Sequence, residues 1–182
     1  MNIIGLGNPG NKYNLNRHNI GFHFVDWLIK KLNPEGQWHQ ESHGKYLYTK
    51  YTIQSDSYFF CKPNTFMNLS GKAVSSFIGY FKQVSTGNKN IVIAHDDLDM
   101  PVGLWKLDFA KGPKLHNGIA SIEETLGTNQ FWRLRIGVDN RDTLHRTPGL
   151  AYVLQDFTDE ELQNIILQFP AMWRRILESV DH

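Results

Sequence analysis

The sequence predicts an α/β domain built on a mixed β-sheet. Three observations predict it. Short apolar runs of strand length alternate along the chain with segments of helical periodicity. Two neighbouring strand-like runs near residues 45–61 are spaced as a hairpin, so the sheet is mixed rather than wholly parallel. Finally, 182 residues with 41% hydrophobic and 20% charged side chains have the size and composition of one globular domain. A chain of that length buries enough surface to fold without a disulfide or metal staple.

In order, Ile3 to Leu6 is a short apolar strand ending in a glycine-rich turn, and a polar stretch from Asn11 to Arg17 follows. Ile20, Phe24, Trp27, Leu28 and Leu32 recur at helical spacing, with Asn19 as candidate N-cap. Lys45 to Ile53 and Ser57 to Cys61 read as strands joined by a Gln-Ser-Asp turn. Val74, Phe77, Ile78 and Phe81 mark a second helix, for which Ser70 is the candidate cap. Ile91 to Ala94 is a buried-type strand that runs directly into His95-Asp96-Asp97. Leu104 to Phe109 is another strand, followed by a loop with Lys111, Gly112, Pro113 and Lys114. Asn117 then caps a short helix carrying Ile119, Ile122 and Leu126, which Gly127 stops. Phe131 to Val138 alternates, with Trp132, Leu134, Ile136 and Val138 on one side and Arg133 and Arg135 on the other. Thr158-Asp159-Glu160-Glu161 is a capping-box pattern opening a helix with Leu162, Ile165 and Ile166, which Pro170 should break or restart. There is no internal repeat, low-complexity tract or linker.

Charge narrows the function classes. Nineteen Lys plus Arg against eighteen Asp plus Glu leave a net charge of +1. Proteins that grip nucleic acid over a long surface are far more basic, so only a local basic patch is left open. One cysteine, Cys61, excludes an intramolecular disulfide and fits a reducing compartment. The start, MNIIGLGNPG, has no basic n-region and reaches glycine and proline too soon for a secretion signal. No apolar run is long enough to cross a bilayer, and the expected location is the cytoplasm.

Several groups have chemical potential. Gly5 to Gly10 formally match GxGxxG, but no helix opens directly behind them and the acidic residue expected about 20 positions on is missing, so a dinucleotide site is disfavoured. The turn is then either structural or a device that exposes Asn8 beside an active centre. His18 stands where the polar loop meets the first helix, a place where histidines usually cap or pack. Asp96, however, lies at the carboxyl end of an apolar strand, where open α/β sheets place their ligand crevices. A catalytic imidazole needs such an acceptor on its second nitrogen. Asp97 and Asp99 read as solvated neighbours or, less favourably, metal ligands. No serine, threonine or cysteine stands out as a nucleophile and GxSxG is absent, so water activated by histidine is the simplest esterase mechanism. Asn68 and Asn117, near helix N-termini, are either caps or donors for a carbonyl oxygen or phosphate. His39 and His43 flank Glu41 at i, i+4 but lack a third ligand and a helical setting. Arg133, Arg135, Lys106, Lys111 and Lys114 form either a phosphate patch or a solvated face.

Taken together, GLGNPG with Tyr13 and Arg17-His18-Asn19, KPNTFMNLSGKAV at 62–74, the strand ending Ala94-His95-Asp96-Asp97-Leu98-Asp99, His116-Asn117-Gly118, and Phe131 to Gly137 resemble bacterial peptidyl-tRNA hydrolases. Five separated motifs in the right order are more specific than any one of them. The resemblance covers residues 1 to about 160. It implies a single monomeric domain, a twisted mixed sheet with helices packed on both faces, and an esterase that needs no metal or cofactor and acts on peptidyl-tRNA. It makes His18 the catalytic base, Asp96 its orienter, and Asn8, Asn68 and Asn117 the amides that position substrate and water. Tyr13, Met67 and His116 would line the cleft, and Lys106 and Arg135 would meet a tRNA phosphate. The chain departs from the family between Leu107 and His116, where a glycine-rich loop is replaced by Asp-Phe-Ala-Lys-Gly-Pro-Lys-Leu, stiffer and more basic. A relative that binds RNA without chemistry is the rival reading; its platform would need neither a base nor an orienter.

Overall fold

The computed structural model describes residues 1–53, 55–81, 88–142 and 147–180. Seven strands form one sheet: β1 (Asn2–Gly5), β2 (His39–Gln40), β3 (Tyr46–Ile53), β4 (Asp56–Pro63), β5 (Ile91–Pro101), β6 (Trp105–Phe109) and β7 (Trp132–Asp139). Their order across the sheet is β2-β3-β4-β1-β5-β7-β6. The four central strands, β4, β1, β5 and β7, are parallel, while β2, β3 and β6 add antiparallel edges. The sheet is therefore mixed for the reason the hairpin at 45–61 suggested, although Gln54 of its turn lies outside the described residues.

Period-two alternation sends successive strand residues to opposite faces, and each face has its own helices. Ile3, Val92, Ala94, Leu134 and Ile136 pack under α1 (Ile20–Leu32) and the C-terminal α6 (Phe169–Val180), meeting Phe24, Leu28, Phe169, Met172 and Ile176. Ile4, Cys61, Ile91 and Ile93 face the other way, against Val74 and Phe77 of α2 (Ser70–Tyr80) and Ile119 and Ile122 of α3 (Asn117–Leu126). Two short helices, α4 (Gly149–Tyr152) and α5 (Asp159–Ile166), complete the order. Thr158 and Glu161 form the expected capping box on α5, and Pro170 falls in the first turn of the restarted α6. Gly127 closes α3 at φ 66°. Among the described residues no helix is long and apolar enough to cross a membrane.

One contact sets the geometry of the site. A Cβ on Gly21 would lie 2.3 Å from the Ala94 carbonyl oxygen, and one on Gly5 would lie 2.2 Å from the Gly21 carbonyl oxygen. With hydrogen in both places, the first turn of α1 rests directly on the end of β1 and on β5 beside it, at Ala94. That brings the residues just before α1 to the carboxyl ends of the parallel strands.

Candidate active site

The glycine-rich turn is latched onto the start of α1 by Asn19. Its Oδ1 accepts the Asn8 N–H at 2.9 Å and its Nδ2 donates to the Asn8 carbonyl at 3.0 Å. Asn19 thus precedes α1 without capping it by its side chain, contrary to the sequence expectation. The reason is that Asn8 backbone groups at the turn compete for the same amide. Asn8 itself accepts the Met67 N–H through Oδ1 at 2.9 Å. Its carbonyl end is therefore committed, and its NH2 is the end left for the cleft it lines.

His18 is placed from two directions. Its N–H donates to the Val153 carbonyl at 2.9 Å and that of Arg17 to the Gln155 carbonyl at 3.0 Å. The Arg17 guanidinium donates to both carboxylate oxygens of Glu161 and to the Asp156 carbonyl, each at 2.8 Å, and lies over the Tyr152 ring. From the sheet, β5 carries Asp96 beneath the imidazole: Nδ1 of His18 lies 2.7 Å from Oδ1 of Asp96. An ionised carboxylate only accepts, so Nδ1 bears the hydrogen and Nε2 keeps its lone pair. The two side chains, far apart in the sequence, do share one cleft.

A second imidazole shares that carboxylate. Nε2 of His116 lies 2.9 Å from the same Asp96 Oδ1, while its Nδ1 accepts the N–H groups of Gly118 and Ile119 at 3.1 and 3.2 Å. His116 is therefore the N-cap of α3, and Asn117, expected in that role, is the first helical residue with its exposed side chain turned to the cleft. Likewise Ser70 begins α2 rather than capping it, and exposed Asn68 sits on the single turn before it. Neither asparagine serves as a side-chain cap, so both amides remain with the cleft.

Burial opposes ionisation here, but pairing outweighs it. Desolvation alone would lower the His18 pKa; the charge and hydrogen bond of Asp96 bring it above the ordinary 6.5. Desolvation alone would raise Asp96, yet its two imidazole partners hold it well below the usual carboxylate range. His95, wholly buried, goes the other way: desolvation pushes its pKa far down, and its Nδ1 bonds the Asp96 carbonyl at 2.7 Å.

The cleft has two lobes meeting at His18, Asn117, Leu150 and Val153. One, about 380 Å³, adds Asn8, Tyr13, Phe66, Met67, Asn68 and Leu154. The other, about 240 Å³, adds Asp96, Leu98, Leu115, His116 and Gly149. Each has room for the end of a chain, not for a duplex. His18, Asp96 and His116 also bring three donor atoms within 4.8 Å of one another. Both imidazole nitrogens facing the carboxylate are engaged in hydrogen bonds to it, so the three side chains form one hydrogen-bonded network.

Other sequence candidates fall elsewhere. His39 lies on β2, not on a helix, and His43 bonds Glu41 at 2.7 Å in an exposed turn. Asp97 is buried rather than solvated, taken by Arg135 and the Asp99 N–H. Arg133 is not on a solvated face: it is 1% exposed, stacked on Phe131 and paired with Glu123. Arg135 is held by Asp97 at 2.7 Å and Asp108 at 2.9 Å, and Lys106, Lys111 and Lys114 are exposed nearby on β6 and its loop. Sequence reading missed the segment from Gly149 to Leu154, which walls the cleft with exposed leucines and gave no periodic signal.

A mixed sheet that carries a carboxylate-bound imidazole, with amides lining the cleft around it, has the make-up of a hydrolase site. The chain belongs to the peptidyl-tRNA hydrolase family, whose model matches residues 2–181. It is 42% identical over 165 residues to a peptidyl-tRNA hydrolase of Pseudothermotoga lettingae, covering 90% of this chain and 81% of that protein. Over 160 residues it is 40% identical to one from Shouchella clausii, covering 88% and 82%. The crystal structure of the Acinetobacter baumannii peptidyl-tRNA hydrolase superposes with a TM-score of 0.84 at 29% identity, covering 99% of this chain and 88% of that one.

Proposed function

We propose that the protein hydrolyses the ester joining a peptide, or an N-blocked amino acid, to the 3′ end of tRNA, with His18-activated water as the nucleophile. The observation that carries this reading is the 2.7 Å bond between His18 Nδ1 and Asp96 Oδ1, which leaves Nε2 as a free base on the cleft. An aminoacyl ester is reactive enough to need no covalent intermediate. Water held by the amides of Asn8 and Asn68 gives a proton to Nε2 as its oxygen bonds the ester carbon. The carbonyl oxygen takes the negative charge, and the Asn117 amide donates to it. Collapse breaks the bond to the ribose 3′ oxygen, which leaves with the proton from the imidazolium. Peptide carboxylic acid and free tRNA result, without metal or cofactor. General-base catalysis contributes about 10²–10⁴-fold, and a donor on the developing oxyanion about 10²–10³-fold.

Tyr13, Met67 and His116 complete the cleft walls, and Lys106 and Arg135 are the tRNA phosphate contacts. The net charge of +1 supports a small electrostatic footprint of a few phosphates. The protein works as a monomer in the cytoplasm. The test is hydrolysis of an N-blocked aminoacyl-tRNA beside the same aminoacyl-tRNA with its amine free. Strong preference for the blocked ester is expected. Equal cleavage would mean a different substrate class, and RNA binding with no cleavage would mean a non-catalytic relative.

A further inference from the structure

We propose that His116 is a positioning residue that acts through Asp96: its Nε2 donates a second hydrogen bond to the carboxylate and so limits the basicity of His18. This rests on His18 being the base and goes beyond the cleft-lining role above.

The geometry leaves His116 little freedom. Nδ1 accepts two backbone N–H groups, from Gly118 and Ile119, and so cannot carry a hydrogen. The ring hydrogen is therefore on Nε2, aimed at Asp96 Oδ1 from 2.9 Å. With both nitrogens committed, His116 has no polar atom to offer a substrate; what it offers is a dipole whose positive end lies against Asp96. His18 occupies the same oxygen from 2.7 Å, with the two rings 5.1 Å apart. A carboxylate oxygen divided between two donors stabilises an imidazolium at His18 less than an undivided one does. The base keeps the orienting bond of Asp96, while its imidazolium gains less from that oxygen than from an undivided one.

Among the described residues, no other charge facing the pair stands in for this. On β5, His95 packs its ring 4.8 Å from His116 and gives its own Nδ1–H to the Asp96 carbonyl, and Asp97 is taken by Arg135. Before α1, Arg17 is taken by Glu161. From the C-terminal wall come Gly149, Leu150 and Val153, which do not titrate, and across the cleft stand Asn8, Tyr13, Asn68 and Asn117.

Two substitutions separate the donor from the cap. In His116→Asn the amide oxygen takes the place of Nδ1 and keeps the cap, but nothing reaches Asp96. In His116→Gln the amide nitrogen takes the place of Nε2 and keeps the donor, but the cap is lost. The acid limb of kcat/KM against pH is measured on an N-blocked aminoacyl-tRNA, with Tm alongside. The expected result is an acid limb moved upward by about half a pH unit or more in His116→Asn at nearly unchanged Tm. His116→Gln should keep the wild-type limb with a lowered Tm. An unmoved limb in His116→Asn, or a change confined to KM, would overturn the proposal and return His116 to substrate binding. The wild-type rate in the same assay keeps the two readings apart: no hydrolysis by the parent protein refutes the esterase, whereas hydrolysis with an unmoved limb refutes only the role of His116.

Discussion

Nη2 of Arg17 bonds both carboxylate oxygens of Glu161 at 2.8 Å, joining the residue before His18 to α5 across most of the chain. Both side chains are buried, so each depends on the other for its solvation. Glu161→Gln should cost about 3 kcal/mol in urea denaturation, because a buried guanidinium loses its counter-charge. Since the same segment holds the His18 N–H at the Val153 carbonyl, kcat should fall while tRNA affinity changes little.

The pair also gives a sign for acid stability. Burial alone would raise the Glu161 pKa, but its bonds to Thr158, Asn140 and Arg17 bring it below the ordinary 4.5. A depressed carboxyl contributes stability above its unfolded pKa and loses it as pH falls through the folded one. Melting temperature should decline below pH 4.5 in the parent protein, and less steeply in Glu161→Gln.

The acid limb of activity should depend on Asp96. His18 lies above 6.5 only because Asp96 outweighs burial, and only the neutral imidazole accepts a proton. In Asp96→Asn burial is left unopposed, so the acid limb of kcat/KM should move to lower pH than in the parent protein. Turnover should nonetheless fall by about 10²–10⁴-fold, because the tautomer is no longer fixed and the imidazolium is no longer stabilised. A pH profile on the blocked ester reads both effects at once.

Arg135 is tied to Asp97 and Asp108, so binding a phosphate there means exchanging one carboxylate for it. Exposed Lys106 carries no such cost. Asp108→Asn should tighten tRNA binding several-fold and steepen the dependence of log Kd on log salt by about one phosphate. Lys106→Ala should weaken binding and flatten that slope by a similar amount. Filter binding at several salt concentrations measures both.

Gly21 tests the contact that delivers the site. A methyl group there would meet the Ala94 carbonyl oxygen at 2.3 Å, and backbone cannot move aside as a side chain does. Gly21→Ala should destabilise the fold by about 3 kcal/mol. In any protein that still folds, the His18–Asp96 bond should lengthen and turnover should drop. Denaturation together with turnover checks both parts.

What the sequence made legible were features written in local pattern. A continuous apolar run located β5, alternation located β7, the capping box located α5, and Gly127 the end of α3, because each depends on neighbours only a few residues away. Less legible was which side chain answers which backbone group. Asn19, Ser70 and Asn117 all stand where caps usually stand, yet the cap of α3 is His116 and the Asn19 amide serves Asn8 instead. Those choices follow from chain segments brought together only by folding. The cleft wall from Gly149 to Leu154 was silent for a related reason: exposed leucines on a short helix and just past its end have neither periodicity nor charge to announce them. Arg133 and Arg135 looked alike in the strand pattern and differ only through Glu123, Asp97 and Asp108, which come from other elements.

The most direct measurement is single-turnover hydrolysis of an N-blocked aminoacyl-tRNA by His18→Ala beside the parent protein, with tRNA binding measured on both. Turnover should fall by at least about 10²-fold while affinity stays within about twofold. Near-normal turnover in His18→Ala would contradict the assignment of His18 as the base.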